Sequence, residues 1–111
     1  MLDGLLVHAL TYPEAWEDNP WGESPVAKVG KKIFLFVGTP EQPGISVKLP
    51  HSSGPVLTLP CATPTGYGLG RAGWVTIDLA SPDAPPEPIL LEWIDESYRA
   101  VAPKTLVKRL A

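Results

Sequence analysis

The chain has 111 residues, a length that suits one domain with a single buried core and leaves no room for a second. Hydrophobic residues make up 44% of it, a globular composition, while 14 prolines and 10 glycines predict short elements joined by tight turns. The net charge of −3 argues against avid nonspecific nucleic-acid binding, which leaves a basic footprint on a whole domain.

The number of cysteines and the N-terminal segment indicate the cellular compartment in which the protein is expected. Cys61 is the only cysteine, so no intrachain disulfide can form and an oxidising compartment is not needed for stability. The start of the chain carries Asp3 and no basic n-region, and no apolar run approaches the roughly 18 residues of a membrane span. We therefore predict a cytoplasmic protein with no membrane partner.

Charge is unevenly distributed along the chain. Residues 1–23 contain five acidic residues and no lysine or arginine. Residues 24–77 contain a single acid and five basic residues, which are Lys28, Lys31, Lys32, Lys48 and Arg71. Residues 78–103 are acidic again, and a short basic tail follows. The positive central segment keeps an anionic partner in consideration for a chain that is acidic as a whole.

The first half of the chain predicts one helix and three strands. Apolar residues fall at helical spacing before Pro13, at Leu2, Leu5, Leu6, Ala9 and Leu10. From Pro25 the period changes to two, which predicts a strand, a Gly30-Lys31 turn, and further strands over 33–37 and 44–49. This order indicates a three-strand antiparallel meander.

The second half predicts a short helix, two strands and a long helix. We expect the short helix over 56–59, and strands over 65–69 and 74–79 around a glycine-rich turn. The long helix should begin near Pro86 and end at Pro103, with a short basic tail helix beyond it.

The order of these elements predicts an α+β fold. Residues 1–111 would form a single two-layer domain, in which the N- and C-terminal helices pack on one face of an antiparallel sheet of about five strands.

Three glycines match the dinucleotide-binding pattern G-x-G-x-x-G, namely Gly68, Gly70 and Gly73. That fingerprint needs a helix directly after it, so that the pyrophosphate sits on the helix N-terminus. Here a β-forming run begins at Trp74 instead. We interpret the glycines as a connection between strands and predict no cofactor.

Candidate metal ligands and nucleophiles lack the spacing that their chemistry needs. His8, His51 and Cys61 show no paired short spacing of a zinc site. Ser52 adjoins His51 but lies in no G-x-S-x-G elbow. Four acidic residues near the N-terminus are Glu14, Glu17, Asp18 and Glu23. Their spacing matches no calcium loop, and we interpret them as a solvated acidic surface. We predict no metal, no catalytic residue and no enzymatic activity.

Period-two alternation predicts the face on which Trp74 lies. Val75, Ile77 and Leu79 would share one face of their strand and Trp74 the other. If the helices cover the aliphatic face, Trp74 lies on the open face of the sheet, and the same argument places Lys48 there.

The parity of the second strand of the meander stays open. Burying its aliphatic residues would send Phe34 and Phe36 to the open face beside Trp74, whereas in the alternative both phenylalanines face inward and Trp74 merely covers them. An aromatic sheet face surrounded by lysines is typical of single-stranded nucleic-acid binders. It is equally typical of a peptide or protein interface.

Several short motifs follow one another in a specific order. They are Pro20, Trp21 and Gly22; Lys28, Val29 and Gly30 through Phe34; Val47, Lys48 and Leu49; Tyr67, Leu69, Gly73, Trp74 and Val75; and Asp95, Ser97, Tyr98 and Arg99. In this order they resemble the MmcQ/YjbR family over nearly the entire chain. The resemblance implies a frataxin-like (CyaY-like) fold with a double-wing arrangement.

The resemblance also implies DNA binding, the usual description of the family, which rests mainly on fold analogy. Our first hypothesis is a noncatalytic domain that binds DNA weakly and salt-sensitively on the open sheet face. Lys28, Lys48 and Arg71 would contact phosphate, and Trp74 would stack. The second hypothesis is a protein or peptide interaction module that uses the same face, as a monomer or a homodimer. A frataxin likeness would instead suggest iron on the acidic residues near the N-terminus, which we favour less.

Overall fold

The computed structural model of the protein describes residues 2–20, 22, 24–66 and 68–110. Within these residues six strands form one antiparallel sheet: β1 Ala15–Asp18, β2 Val26–Val29, β3 Lys32–Val37, β4 Gly44–Lys48, β5 Ala62–Pro64 and β6 Trp74–Asp78, in the spatial order β1-β2-β3-β4-β6-β5. The α-helices are α1 Leu2–Ala9, α2 Ser53–Val56, α3 Glu87–Val101 and α4 Lys104–Val107, and 3₁₀ helices cover Leu69–Ala72 and Lys108–Leu110. The predicted α+β class and antiparallel sheet are confirmed. In the described part of the chain, no helix is both long and apolar enough to cross a bilayer.

The sheet has one strand more than the sequence predicts. β1 escapes prediction because its four residues, AWED, show no apolar alternation. It pairs with β2 through a register that places Trp16 opposite Lys28, whose ammonium lies 5.2 Å from the centroid of the indole. Lys28 also forms a 2.8 Å ion pair with Asp18. Cross-strand side-chain contacts therefore stabilise this edge strand.

A second difference concerns the strand predicted over 65–69. The strand lies earlier, at β5, and the 3₁₀ helix Leu69–Ala72 leads into β6. Gly68 and Gly73 bound that helix with φ of +78° and +90°, a region that glycine adopts without steric cost. The glycine motif thus connects two strands, as the sequence indicates.

Both long helices cover the same face of the sheet. α1 packs on β2 and β3, α3 packs on β3 and β4, and the two helices contact each other. Val75 and Ile77 are fully buried in one core cluster with Leu90 and Ile94 of α3. The predicted placement of both helices on the aliphatic face is confirmed. Removing these side chains from water is the main favourable contribution to folding.

A bulge between β2 and β3 sets the direction of the first phenylalanine. Beyond the pair of Ala27 and Leu35, Lys28 pairs with Ile33, so that Phe34 is an extra residue in β3. A bulge of this kind lets consecutive side chains point to the same side of a sheet. Phe34 and Leu35 are accordingly both fully buried in the core.

Phe36 lies on the opposite face of the sheet. Its ring packs edge-to-face against Trp74, with 5.3 Å between the ring centroids. Neither arrangement predicted for the phenylalanines is therefore correct, because Phe34 faces the core and Phe36 does not. Strict alternation cannot anticipate a bulge.

Ser97 of α3 joins the helix to the strands beside the bulge. Its hydroxyl is buried, donates to the Phe34 carbonyl at 2.5 Å and accepts from the Lys48 amide at 2.8 Å. The serine therefore supplies a hydrogen-bond partner to one backbone group in each of two adjacent strands.

Candidate ligand-binding face

The face of the sheet opposite α1 and α3 is termed the open face. Register pairs align its residues across the strands: Val26 with Phe36, Phe36 with Ser46, Ser46 with Thr76, and Lys48 with Trp74. Val26, Phe36 and Trp74 stand outside the core cluster that lies under the helices. The open face therefore carries aromatic, hydroxyl and lysine side chains, but only part of it is accessible, because Val26 is fully buried and Trp74 is 8% exposed.

A groove of about 420 Å³ lies at one end of the open face, beside the β2–β3 turn and the C-terminal end of α3. Its described lining residues are Lys31, Lys32, Ile33, Phe36, Lys48, Leu69, Trp74, Ala100 and Val101. We call it the lysine groove, because lysines are the titratable side chains among those residues. Its apolar and aromatic lining could accept a planar group while the lysines hold an anion.

The lysines of the groove come from two separate parts of the chain. Lys31 lies in the β2–β3 turn and Lys32 begins β3, both exposed, while Lys48 ends β4 and is half-buried. Within the described residues, no carboxylate forms an ion pair with any of the three. The C-terminal end of α3, which carries partial negative charge, lies beside them and offsets part of their mutual repulsion. The three lysines thus place a local cluster of positive charge at this end of the open face.

Trp74 lies on the open face as predicted, but it offers little surface. Only 8% of the residue is exposed, and the Phe36 ring packs edge-to-face against it. Phe36, at intermediate exposure, also lines the groove. A ligand that entered the groove would therefore meet only a margin of the indole.

Lys28, a predicted phosphate ligand, already has partners. Its ammonium is bound to Asp18 and lies over Trp16, and its side chain is 20% exposed. The hydrogen bond from Lys28 lowers the pKa of the Asp18 carboxyl below its usual value. The structure places this ion pair on β1 and β2, whereas the lysine groove is built on β3, β4 and β6.

Arg71, the third predicted phosphate ligand, is exposed on the 3₁₀ helix Leu69–Ala72. Leu69 of the same helix lines the groove, but Arg71 itself is not a lining residue. The structure thus brings together Lys48 and Trp74 from the predicted set. It adds Lys31 and Lys32, for which the only sequence signal was the positive charge of the central segment.

A second hollow, of about 300 Å³, continues the open face beyond Phe36. Its described lining residues carry no charge and include Val26, Ser46 and Thr76. The Thr76 hydroxyl lies 2.8 Å from that of Ser46 and 2.9 Å from that of Thr65. These hydroxyls are mutually hydrogen-bonded, so this half of the face is polar but neutral.

Each described acidic residue considered as a cation ligand already has a polar partner within the protein. Glu14 lies 3.8 Å from Arg109, Asp18 pairs with Lys28, and Glu17 accepts a hydrogen bond from Asn19. Glu23 lies outside the described residues. Across the described part of the chain, no group of three histidine, cysteine or acidic side chains is placed to hold a metal ion.

Tyr12 joins the start of the chain to α3 on the covered side of the sheet. Its ring stacks on Tyr98 at 4.6 Å between centroids, and its hydroxyl donates to Asp95 at 2.9 Å. Burial, together with the hydrogen bond to Asp95, raises the pKa of Tyr12, so the phenol stays neutral and keeps donating at physiological pH. Asp95 and Tyr98 of α3 therefore hold Tyr12 against the helix, which is a structural role within the fold.

The protein-family model described as YjbR matches residues 10–100. The chain belongs to the YjbR family. Among curated protein sequences, none matches the chain. The matched range contains all six described strands and nearly all of α3, and therefore the lysine groove except for Val101. The resemblance to the MmcQ/YjbR family is thereby confirmed, whereas its frataxin-like implication stays a prediction.

Three of the five motifs that resemble the MmcQ/YjbR family contribute residues to the lysine groove. Lys31 and Lys32 belong to the motif that runs from Lys28 to Phe34. Lys48 belongs to the motif of Val47, Lys48 and Leu49, and Trp74 to the motif that ends at Val75. Ser97, from the helix motif, binds the backbone of Phe34 and Lys48. Two motif residues, Trp21 and Tyr67, lie outside the described residues.

Proposed function

We propose that the protein is a noncatalytic DNA-binding domain that holds its ligand on the open face, at the lysine groove. The observation that carries this proposal is that Lys31, Lys32 and Lys48 surround an apolar and aromatic floor with no carboxylate partner among the described residues. DNA supplies both complements, phosphates for the ammonium groups and base or sugar surface for the floor. Membership of the YjbR family supports the choice of DNA by association.

The acidic character of the whole chain limits the strength of this binding. The protein carries a net charge of −3, so the lysine groove is a local site and not part of a basic domain. Three phosphate contacts predict modest affinity that falls as counterions compete. Lys28 contributes little to this site because Asp18 neutralises it.

The test is fluorescence anisotropy of labelled DNA, titrated with the protein between about 50 and 200 mM salt. Three lysine contacts predict that the logarithm of the association constant falls with the logarithm of salt at a slope of about −2 for a single strand or −3 for a duplex. The double variant Lys31→Gln with Lys32→Gln keeps one lysine contact, so its slope should be shallower, between about −1 and zero. The matched control is Lys104→Gln with Lys108→Gln, which removes two exposed charges from the C-terminal tail, outside the groove lining.

If the groove variant and the tail variant lose DNA affinity equally, binding depends on the overall charge of the protein and not on this site. Absence of binding to either form of DNA at low salt and micromolar protein would refute the proposal.

The second candidate is a protein or peptide interaction module on the same face. The uncharged hollow that Ser46 and Thr76 line favours it, because a hydroxyl surface without charge suits a peptide better than a phosphate. Such a complex should depend only weakly on salt. A salt slope near zero with a bound peptide, and no DNA binding, would select this candidate.

A further inference from the structure

The floor of the lysine groove differs from the surface that a DNA duplex requires. Phe36, Trp74 and Leu69 line the concavity below the lysines, and Ile33 and Val101 continue its apolar lining. A duplex keeps the faces of its bases stacked inside and presents phosphates, sugars and base edges. An unpaired base instead exposes its planar face, which is the surface that aromatic and apolar side chains bind.

The position of Lys48 in the groove also favours a single strand over a double helix. Lys48 is half-buried inside the groove, opposite Trp74 in the sheet register. A ligand must therefore place a phosphate within the concavity to reach Lys48, while Lys31 and Lys32 remain accessible at the rim.

We infer that the lysine groove binds a single, unpaired DNA strand, with a base against its apolar and aromatic lining and the adjoining phosphates on Lys48, Lys31 and Lys32. This inference rests on the proposed DNA-binding function and specifies the form of DNA. The charge of the lysines selects a polyanion, and the apolar floor selects a strand whose bases are free. Binding is independent of sequence to a first approximation, because every base offers a planar face.

Lys48 provides the variant that separates a strand in the groove from a duplex on the rim. Fluorescence anisotropy should be used to compare the affinity of the protein for a labelled 12-nucleotide oligothymidine with its affinity for a labelled 12-base-pair duplex, at one low salt concentration. We expect the wild-type protein to prefer the single strand by about tenfold or more, and Lys48→Gln to weaken single-strand binding by about tenfold, as for a lost charged hydrogen bond. Lys104→Gln, in the exposed tail, is the matched control and should change neither affinity.

A second variant tests the groove without removing a charge. Ala100→Phe adds bulk to the groove wall near the solvent-accessible end of α3, so it should abolish the preference for the single strand while Lys31 and Lys32 still attract DNA. Circular dichroism and thermal unfolding establish that each variant is folded; if Ala100→Phe is not, Lys48→Gln alone decides.

The outcomes distinguish the inference from the proposed function. Equal or tighter duplex binding, or an equal effect of Lys48→Gln on both ligands, would overturn the single-strand inference and leave DNA binding intact. Failure of the folded wild-type protein to bind either DNA would overturn both. Binding of a peptide alone would assign the groove to the other candidate.

Discussion

At the scale of single residues, exposure separates the side chains that could contact a ligand from those that share their face. Trp74 and Lys48 are register partners on the open face, yet the tryptophan is 8% exposed and the lysine is half-buried with no described carboxylate partner. Lys28, on the same face, is neutralised by Asp18. Position on the open face therefore does not by itself assign a role in binding.

Trp74→Ala should lower the free energy of unfolding by about 3–5 kcal/mol, because truncating a buried tryptophan loses its burial and leaves a cavity against Phe36. The control is Trp16→Ala, which should cost about 1–1.5 kcal/mol because Trp16 is 44% exposed. Urea unfolding of the three proteins measures both values. A loss for Trp74→Ala as small as that for Trp16→Ala would contradict the packing role assigned to Trp74.

At the scale of elements, the β2–β3 hairpin connects the core to the candidate site. Its bulge turns Phe34 into the core, while Phe36 and the turn lysines face the groove. Ser97 binds this hairpin and the end of β4 to α3 through two hydrogen bonds. The helix therefore positions Lys48 through the backbone, although α3 lies mainly on the other side of the sheet.

Ser97→Ala should destabilise the protein by about 1–3 kcal/mol, because it leaves the Phe34 carbonyl and the Lys48 amide without the hydroxyl that each one binds. Ser53→Ala is the control, since the Ser53 side chain is partly exposed and hydrogen-bonds to none of the described residues; it should change stability by about 0.5 kcal/mol or less. Thermal and urea unfolding provide the comparison. Equal stability of the two variants would contradict the role assigned to Ser97.

At the scale of the whole molecule, the two faces of the sheet differ in burial and in charge. The helices bury the aliphatic side, and α3 carries acidic residues such as Glu87, Glu92 and Asp95 on its polar surface. The groove lysines lie on or beside the other side. A net charge of −3 therefore conceals a local positive site, because charges of opposite sign occupy different surfaces.

Nuclear magnetic resonance should locate the ligand on one side only. On addition of oligothymidine at low salt, we expect amide shifts in β3, β4, β6 and the 3₁₀ helix Leu69–Ala72, with α1 and the first two turns of α3 unchanged. The physical reason is that ring currents and hydrogen bonds from a base act only near the groove. Shifts confined to α1 and α4 would place the ligand on the opposite side and contradict the proposed site.

Much of the fold is determined locally by the sequence. Helical spacing before Pro13, alternation from Pro25 and the apolar stripe after Pro86 all predict elements that the structure contains, because their periodicity reflects the side that is buried. The β-forming run after the glycine motif likewise excludes a dinucleotide fingerprint. The face of Trp74 follows from the same alternation.

Other features depend on contacts between distant segments. β1 forms because Trp16 and Asp18 find Lys28 across the strands, and Phe34 turns inward because the bulge brings it to the tyrosines of the covered side. The candidate site has the same origin: Lys48 is grouped with the turn lysines and Phe36 only when the sheet is assembled. Sequence determines which charges exist, but only the tertiary structure decides which of them are neutralised, since ion pairs and burial are set by neighbours in space.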